Sequence, residues 1–231
     1  MLTPRLMAIA EAVLPGKPMA DIGTDHGYLP VELVRSGKIP NAIAADINAM
    51  PLEKAKGCIR EAEVEDRIET RLGSGLSVLK PGEVSTIVMA GMGGYLIRDL
   101  LAAEKEIAEK AECLILQPMN NGAILRHYLE EHGFKIIDER IAKEAPRVYE
   151  IIVAVKGQMT ITDPLDYEIG YQARMRRHPL FKDLIELKLE KEHKILMSTE
   201  GKTTAEAKAQ NQKSKEKIKA LLEVKNGCEM S

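Results

Sequence analysis

Cysteine, net charge and long apolar runs are all scarce in this chain, and each absence closes off a class of protein. The three cysteines, Cys58, Cys113 and Cys228, stand apart with no C-x-x-C pair. They build neither a disulfide framework nor a zinc site, and a reducing cytoplasm suits them. The formal net charge is −2 over 231 residues, so no global basic field marks the whole chain for nucleic acid. Any such contact must come from local patches. No apolar stretch approaches a membrane span. The opening L-T-P-R-L-M-A-I-A-E reads as an amphipathic helix rather than a leader peptide. Long repeats and low-complexity tracts are missing, although 205–219 leans to Lys, Ala and Gln. What remains, 45% hydrophobic and 29% charged, is typical of a soluble globular protein. The length suits one α/β domain with an appendage.

The stretch Met19–Pro30 reads M-A-D-I-G-T-D-H-G-Y-L-P. An apolar run ends in an acid, a turn spans Gly23 to Gly27, and Tyr28 resumes a helix-like pattern. That order is strand, tight turn, helix, the arrangement with which an α/β sheet presents a ligand at the carboxyl end of its first strand. A dinucleotide fingerprint, G-x-G-x-x-G, is absent: Asp25 sits where the close-approach glycine would go, and a carboxylate there repels a pyrophosphate. Asp21 at the strand end fits a cationic ligand better. S-adenosylmethionine (AdoMet), with its sulfonium and ammonium, is such a ligand. Its class I methyltransferase pattern is D/E-x-G-x-G-x-G; Asp21, Gly23 and Gly27 match it, and Asp25 replaces the middle glycine. The competing reading is an ordinary strand-to-helix turn with capping residues.

Taken in order, residues 3–14 form a helix with Thr3 as N-cap and Pro4 at its first position. Arg5 near its start has two readings, a reach to a ligand carboxylate or a surface arginine. The first strand covers 19–23, and its helix runs to Ser36 with Gly37 beyond. Residues 41–47 (N-A-I-A-A-D-I) are a second, doubly buried strand. Asp46 closes it where such folds place the acid for ribose hydroxyls; it would serve equally as an N-cap. A helix at 51–63, a strand at 67–72 and the Gly73-Ser74-Gly75 turn follow. A buried strand at 83–90 leads through Gly91-Met92-Gly93-Gly94 into a helix at 95–111. A strand at 112–117 ends in Gln117-Pro118, and 123–132 is helical. The runs 134–143 and 147–155, with only a short turn between them, must pair antiparallel, so the sheet ends with a reversed strand. After a polar linker at 160–164 the strand signal stops. Residues 166–196 and 203–223 are helix-like, broken at 199–202 as an antiparallel hairpin. This segment has 14 Lys and Arg against 12 Asp and Glu, a net +2.

Many amino-methylating enzymes carry N-P-P-Y or D-P-P-Y at the fourth strand tip. This chain has A-G-M-G-G at 90–94, which leaves space and no side-chain base. It suits an acceptor that is already nucleophilic, such as N1 of adenine, with catalysis chiefly by positioning and desolvation. A tight turn with no acceptor role is the plainer reading. His26 is either a proton acceptor or a turn residue. Asp25 suits the adenine amine or the AdoMet ammonium. Tyr28 either stacks on a base or packs. Arg174, Arg176 and Arg177 with His178, and Lys213, Lys215, Lys217 and Lys219, suit phosphates, or are solvated helix faces.

Together D-I-G-T-D-H-G-Y-L-P, A-G-M-G-G, L-Q-P and the opening L-T-P-R-L resemble the bacterial tRNA (adenine-22-N1)-methyltransferase family over nearly the whole chain. The resemblance implies a Rossmann-like class I fold: a seven-stranded, mostly parallel sheet with one antiparallel strand in residues 1–159, and a coiled-coil-like helical hairpin in 160–231. It implies a cytoplasmic enzyme, expected to be a metal-free monomer away from membranes, that methylates N1 of an adenine in tRNA. The AdoMet side would comprise Arg5, Asp21, Gly23, Thr24, Gly27 and Tyr28, then Asp46, Ile47, Gly73, Ser74 and Gly75, with Ala90, Gly91 and Met92. Asp25 and His26 would be catalytic. Gly93, Gly94, Gln117, Pro118 and the three arginines would hold the RNA. The asparagine that often follows L-Q-P is displaced by Met119, with Asn120 next.

Overall fold

The computed structural model describes residues 2–175 and 178–229, without the side chains of 228 and 229. Arg176 and Arg177 lie outside the described residues. The chain divides into two compact units, Met1–Thr160 and Ile161–Ser231.

In the first unit, α1 (Pro4–Ala12) starts as its sequence asks: Thr3 Oγ1 accepts from Leu6 N at 3.4 Å and Pro4 needs no partner. There follow β1 (Met19–Ile22), α2 (Tyr28–Arg35), β2 (Ala42–Asp46), α3 (Ala49–Glu61) and β3 (Ile68–Leu72). A short 3-10 turn over Gly75–Val78 leads to β4 (Thr86–Met92). Next are α4 (Gly94–Ala103), α5 (Lys105–Lys110), β5 (Cys113–Pro118), α6 (Gly122–Glu131), β6 (Phe134–Glu144) and β7 (Arg147–Lys156). The seven strands lie in the order β3-β2-β1-β4-β5-β7-β6. β1 pairs in parallel with β2 on one side and β4 on the other, so the strand order reverses there. The carboxyl ends of β1 and β4 therefore flank the crevice in which such sheets bind ligands. β7 runs antiparallel to both β5 and β6. The reversed strand sits inside the sheet, and β6 rather than β7 forms the edge.

Strand alternation decides what each face carries. Ala20, Ile22, Met89, Leu114 and Leu116 belong to one core cluster, with Ile97 and Leu101 of α4 and Leu125 of α6. Met19, Val88 and Ile115 belong to the other, with Ile9 of α1 and Leu33 of α2. Asp21 and Gln117 share parity with Met19 and Ile115, so both project to the face that α1 covers.

Two expected helices are divided. The stretch read as one helix over 95–111 breaks at Glu104 (φ −123°, ψ 54°). Gly94, Ile97 and Leu101 face the core, and an unbroken helix would carry Glu104 and Lys105 in next. Beyond the break, Ile107 and Ala108 of α5 face inward. In the second unit the run expected over 166–196 becomes α7 (Pro164–Ile169), α8 (Tyr171–Met175) and α9 (Phe181–Thr199). Gly170 with φ +87° and Pro179, which has no N–H to give, mark the interruptions. α10 (Ala205–Glu229) packs antiparallel on α9: Lys225 pairs with Glu186 at 3.1 Å, and Ser214 donates to Glu192 at 2.8 Å. No helix among the described residues is long and apolar enough to cross a membrane.

One buried charge cluster fastens α6, and with it the loop after β5. Arg126 is 1% exposed; its Nε donates to Glu139 at 2.6 Å and its Nη2 to Glu150 at 3.0 Å. Removing one member of such a cluster strands the others' charge in a dry site. Arg126→Met should lower the free energy of unfolding by about 3–5 kcal/mol in urea titration. A loss below about 1 kcal/mol would mean that the cluster is effectively solvated.

Candidate active site

The crevice between β1 and β4 is built from strand tips. Asp21, next to last in β1, is 8% exposed. Burial pushes its carboxyl up from 3.8 to about 6; the Thr24 hydroxyl and the Arg5 guanidinium pull against that, and Asp46 adds to it. The turn that follows folds onto β2, with Gly23 N and Thr24 N both donating to Ala45 O at 2.8 and 2.9 Å. Thr24 Oγ1 is buried close enough to Asp21 to ease its charge, yet makes no hydrogen bond of full geometry. Asp25 projects into solvent with His26 Nδ1 at 3.0 Å. The His26 ring lies parallel to that of Tyr28, centroids 5.1 Å apart. Gly27, in left-handed conformation, is the N-cap of α2.

Arg5 reaches this crevice from α1. Its backbone N donates to Glu144 at 2.8 Å, its guanidinium lies 5.3 Å from the centre of the Tyr149 ring, and its Nη1 donates to Gln117 Oε1 at 3.0 Å. Its Nε is buried with no partner among the described residues. The surface reading of Arg5 is therefore set aside. Glu144 and Tyr149, which fix it, were invisible in the sequence because they lie across the sheet in β6 and β7.

On the other side, Asp46 spends one oxygen on Asn48 N at 2.7 Å, and its carbonyl accepts from Gly73 N at 3.0 Å. The N-cap of α3 is Asn48 rather than Asp46. Ile47 and Leu72, 64% and 60% exposed, are open apolar surfaces beside it. Ser74 caps the 3-10 turn between Gly73 and Gly75, and its carbonyl accepts from Ser77.

The tip of β4 differs from the bare slot expected. Ala90, Gly91 and Met92 remain in the strand, with a bulge between Ala90 and Met92. Gly91 has φ +79°, a conformation that strains any residue with a Cβ, and its N–H donates to Gln117 Oε1 at 3.0 Å. Met92 lays its methyl over Gly23, where an added Cβ would come within 2.2 Å of it. Gly94 is buried beneath the loop after β5; a Cβ there would lie 2.4 Å from Asn121 O. Gln117 and Pro118 are buried too. Gly94, Gln117 and Pro118 thus carry little or no open surface, and the outer surface belongs to Gly91, Met119 and Asn120, with Gly93 half-buried. In the second unit Arg174 is bound to Asp163 at 2.6 Å and Asp166 at 2.9 Å, and Lys217 pairs with Glu168. Intramolecular carboxylates thus already neutralise both. No group of three or more His, Cys, Asp or Glu among the described residues is placed to hold a metal.

The arrangement is a shelf with a buried anion at its root, a second carboxylate beside apolar surface, and a guanidinium with an unspent donor. It fits a small ligand carrying both positive charge and a carboxylate. A methyltransferase domain model matches residues 2–152. The Bacillus subtilis tRNA (adenine(22)-N(1))-methyltransferase is 40% identical over 156 residues, 68% of this chain and 66% of that protein. The crystal structure of the B. subtilis m1A22 tRNA methyltransferase TrmK has a TM-score of 0.87 at 31% identity, over 97% of this chain and 99% of that one. Streptococcus pneumoniae Sp1610 in complex with S-adenosyl-L-methionine has a TM-score of 0.87 at 34% identity, over 97% and 100%.

The raised pKa of Asp21 gives a stability test. Between 3.8 and about 6 the folded chain keeps a proton that the unfolded chain has released, so this group lowers stability as pH climbs through that window. Asp21→Asn should remove that slope and make the ligand-free protein more stable at about pH 7.5, by up to about 3 kcal/mol, in urea unfolding across pH. A less stable variant at that pH would contradict the buried charge.

Proposed function

The chain belongs to the tRNA (adenine(22)-N(1))-methyltransferase family, and from that membership we propose that it transfers the methyl group of AdoMet to N1 of adenine 22 in tRNA. The observation that carries the reading is Asp21: an ionisable carboxylate held in the crevice at a cost in stability is the mark of a group kept for a ligand. The residues present fit AdoMet. Asp21 faces its positive charge, the free Arg5 Nε and Thr24 Oγ1 await its carboxylate or amine, and Asp46 with Ile47 and Leu72 suits a ribose and an adenine.

Bound there, AdoMet supplies an electrophilic methyl on a cationic sulfur, which adenine N1 takes through its lone pair without first losing a proton. The protein's part is then placement. The Gly91 bulge and Met92 shape the floor of the shelf. Asp25 and His26, at the open end of the same turn, are positioned to meet the adenine. Tyr28, 53% exposed and stacked with His26, offers a face for a base. The target adenine must leave the folded RNA to reach this shelf. In the second unit Lys202, Lys208, Lys213, Lys215 and Lys219 are exposed and carry no ion pair among the described residues. They are the cations offered to tRNA phosphates, ahead of Arg174 and Lys217. The enzyme is proposed to act in the cytoplasm as a monomer.

Incubation with unmodified tRNA and labelled AdoMet, followed by mapping of the modified nucleotide, tests the reading. The label should fall on N1 of adenine 22; label elsewhere, or none, would overturn it. Asp46→Ala should weaken AdoMet binding about tenfold in calorimetry while the fold persists. Unchanged affinity would remove the ribose role from the tip of β2.

A further inference from the structure

Gln117 touches both halves of the crevice and is itself 0% exposed. Its Oε1 accepts from Arg5 Nη1 and from Gly91 N, each at 3.0 Å, and its Nε2 donates to Pro118 O at 3.1 Å. The orientation of the amide is fixed by these partners, since a flip would set donor against two donors and carbonyl against carbonyl. Arg5 stands on the donor side, within electrostatic reach of Asp21. Gly91 forms the bulge that sets where Met92 and Gly93 stand, and Met92 O in turn holds Met119 N at 2.8 Å.

We propose that Gln117 is a positioning residue for methyl transfer: one buried amide oxygen holds the donor-side guanidinium and the acceptor-side bulge in a single register. The proposal rests on the methyltransferase reading and deepens it. Gln117 touches no substrate, because it exposes no surface. Without Oε1, Arg5 Nη1 and Gly91 N lose the protein acceptor of two part-buried hydrogen bonds. The guanidinium is then free to turn away from Asp21, and the bulge is free to relax toward a regular ladder. The consequences separate, because one acts on cofactor affinity and the other on the geometry at the acceptor.

The test uses the full chain with Gln117→Met, which keeps the side chain's length and removes the oxygen. Calorimetry reads the AdoMet Kd, and steady-state assays on unmodified tRNA read kcat and KM. Gln117→Met should raise the AdoMet Kd and lower kcat at saturating AdoMet, each about tenfold, with the KM for tRNA nearly unchanged. In an Arg5→Met background the same change should leave Kd where Arg5→Met put it and still lower kcat. Gln117→Glu keeps an oxygen for Arg5 Nη1 and Gly91 N, but its second oxygen replaces the Nε2 donor against Pro118 O and it adds a charge beside Arg5, so it should recover only part of both quantities relative to Gln117→Met. An unchanged kcat, Kd effects that simply add in the double variant, or a Glu variant as impaired as the Met variant would overturn the proposal. If the Met variant fails to fold, the Glu variant is read against the parent: Kd and kcat each within about tenfold of the parent support the proposal, and a larger loss in either overturns it. Should the parent not methylate tRNA, the functional reading fails by itself, and the Arg5–Gln117 coupling in AdoMet affinity still tests the bracket.

Discussion

A carboxylate kept almost out of water at the tip of β1 constrains everything around it. Asp21 lies where the sheet's strand order reverses, between β2 and β4, so neighbouring backbone closes in on both sides. The only cation that reaches it in the described structure is Arg5, whose pull does not overcome the burial, and its pKa stands near 6. A carboxylate so placed destabilises the empty protein near neutral pH and attracts a cation that restores the balance. A sulfonium methyl donor is a ligand of that kind.

From that constraint the surrounding geometry follows. Strand alternation sends Asp21 and Gln117 to the face under α1, which is why a residue from the first helix, Arg5, closes the crevice. Gln117 hands the position of Arg5 on to the Gly91 bulge, and the bulge sets the floor through Met92. The loop beyond β5 is held from the far side by Arg126 between Glu139 and Glu150. The floor of the shelf therefore stands on hydrogen bonds rooted in the core.

What the sequence revealed was local. Thr3-Pro4 announced α1, and Asp21, Gly23 and Gly27 announced a strand-turn-helix whose acid faces a cation, because spacing along the chain encodes those features directly. What it hid was the partner of each side chain. Arg5 and Glu144 are 139 positions apart, so the choice between a surface arginine and a site arginine had no local signal. Gln117 looked like a substrate contact until strand parity put it under α1. A-G-M-G-G looked empty because glycines leave space, yet the methionine between them fills part of it. Arg174 looks available for phosphate in the sequence because nothing local marks Asp163 and Asp166, eleven and eight positions before it, as its partners.

The most direct measurement is AdoMet affinity by calorimetry from about pH 5 to 7 for the parent chain and Asp21→Asn. Because the ionised form of Asp21 is the one that attracts a cation, affinity of the parent should climb as pH rises through about 6 and then level off, with protons released on binding in the lower part of the range. The Asn variant should bind more weakly and show no such climb. A parent whose affinity is flat across that window, or an Asn variant that keeps the same pH dependence, would contradict the account.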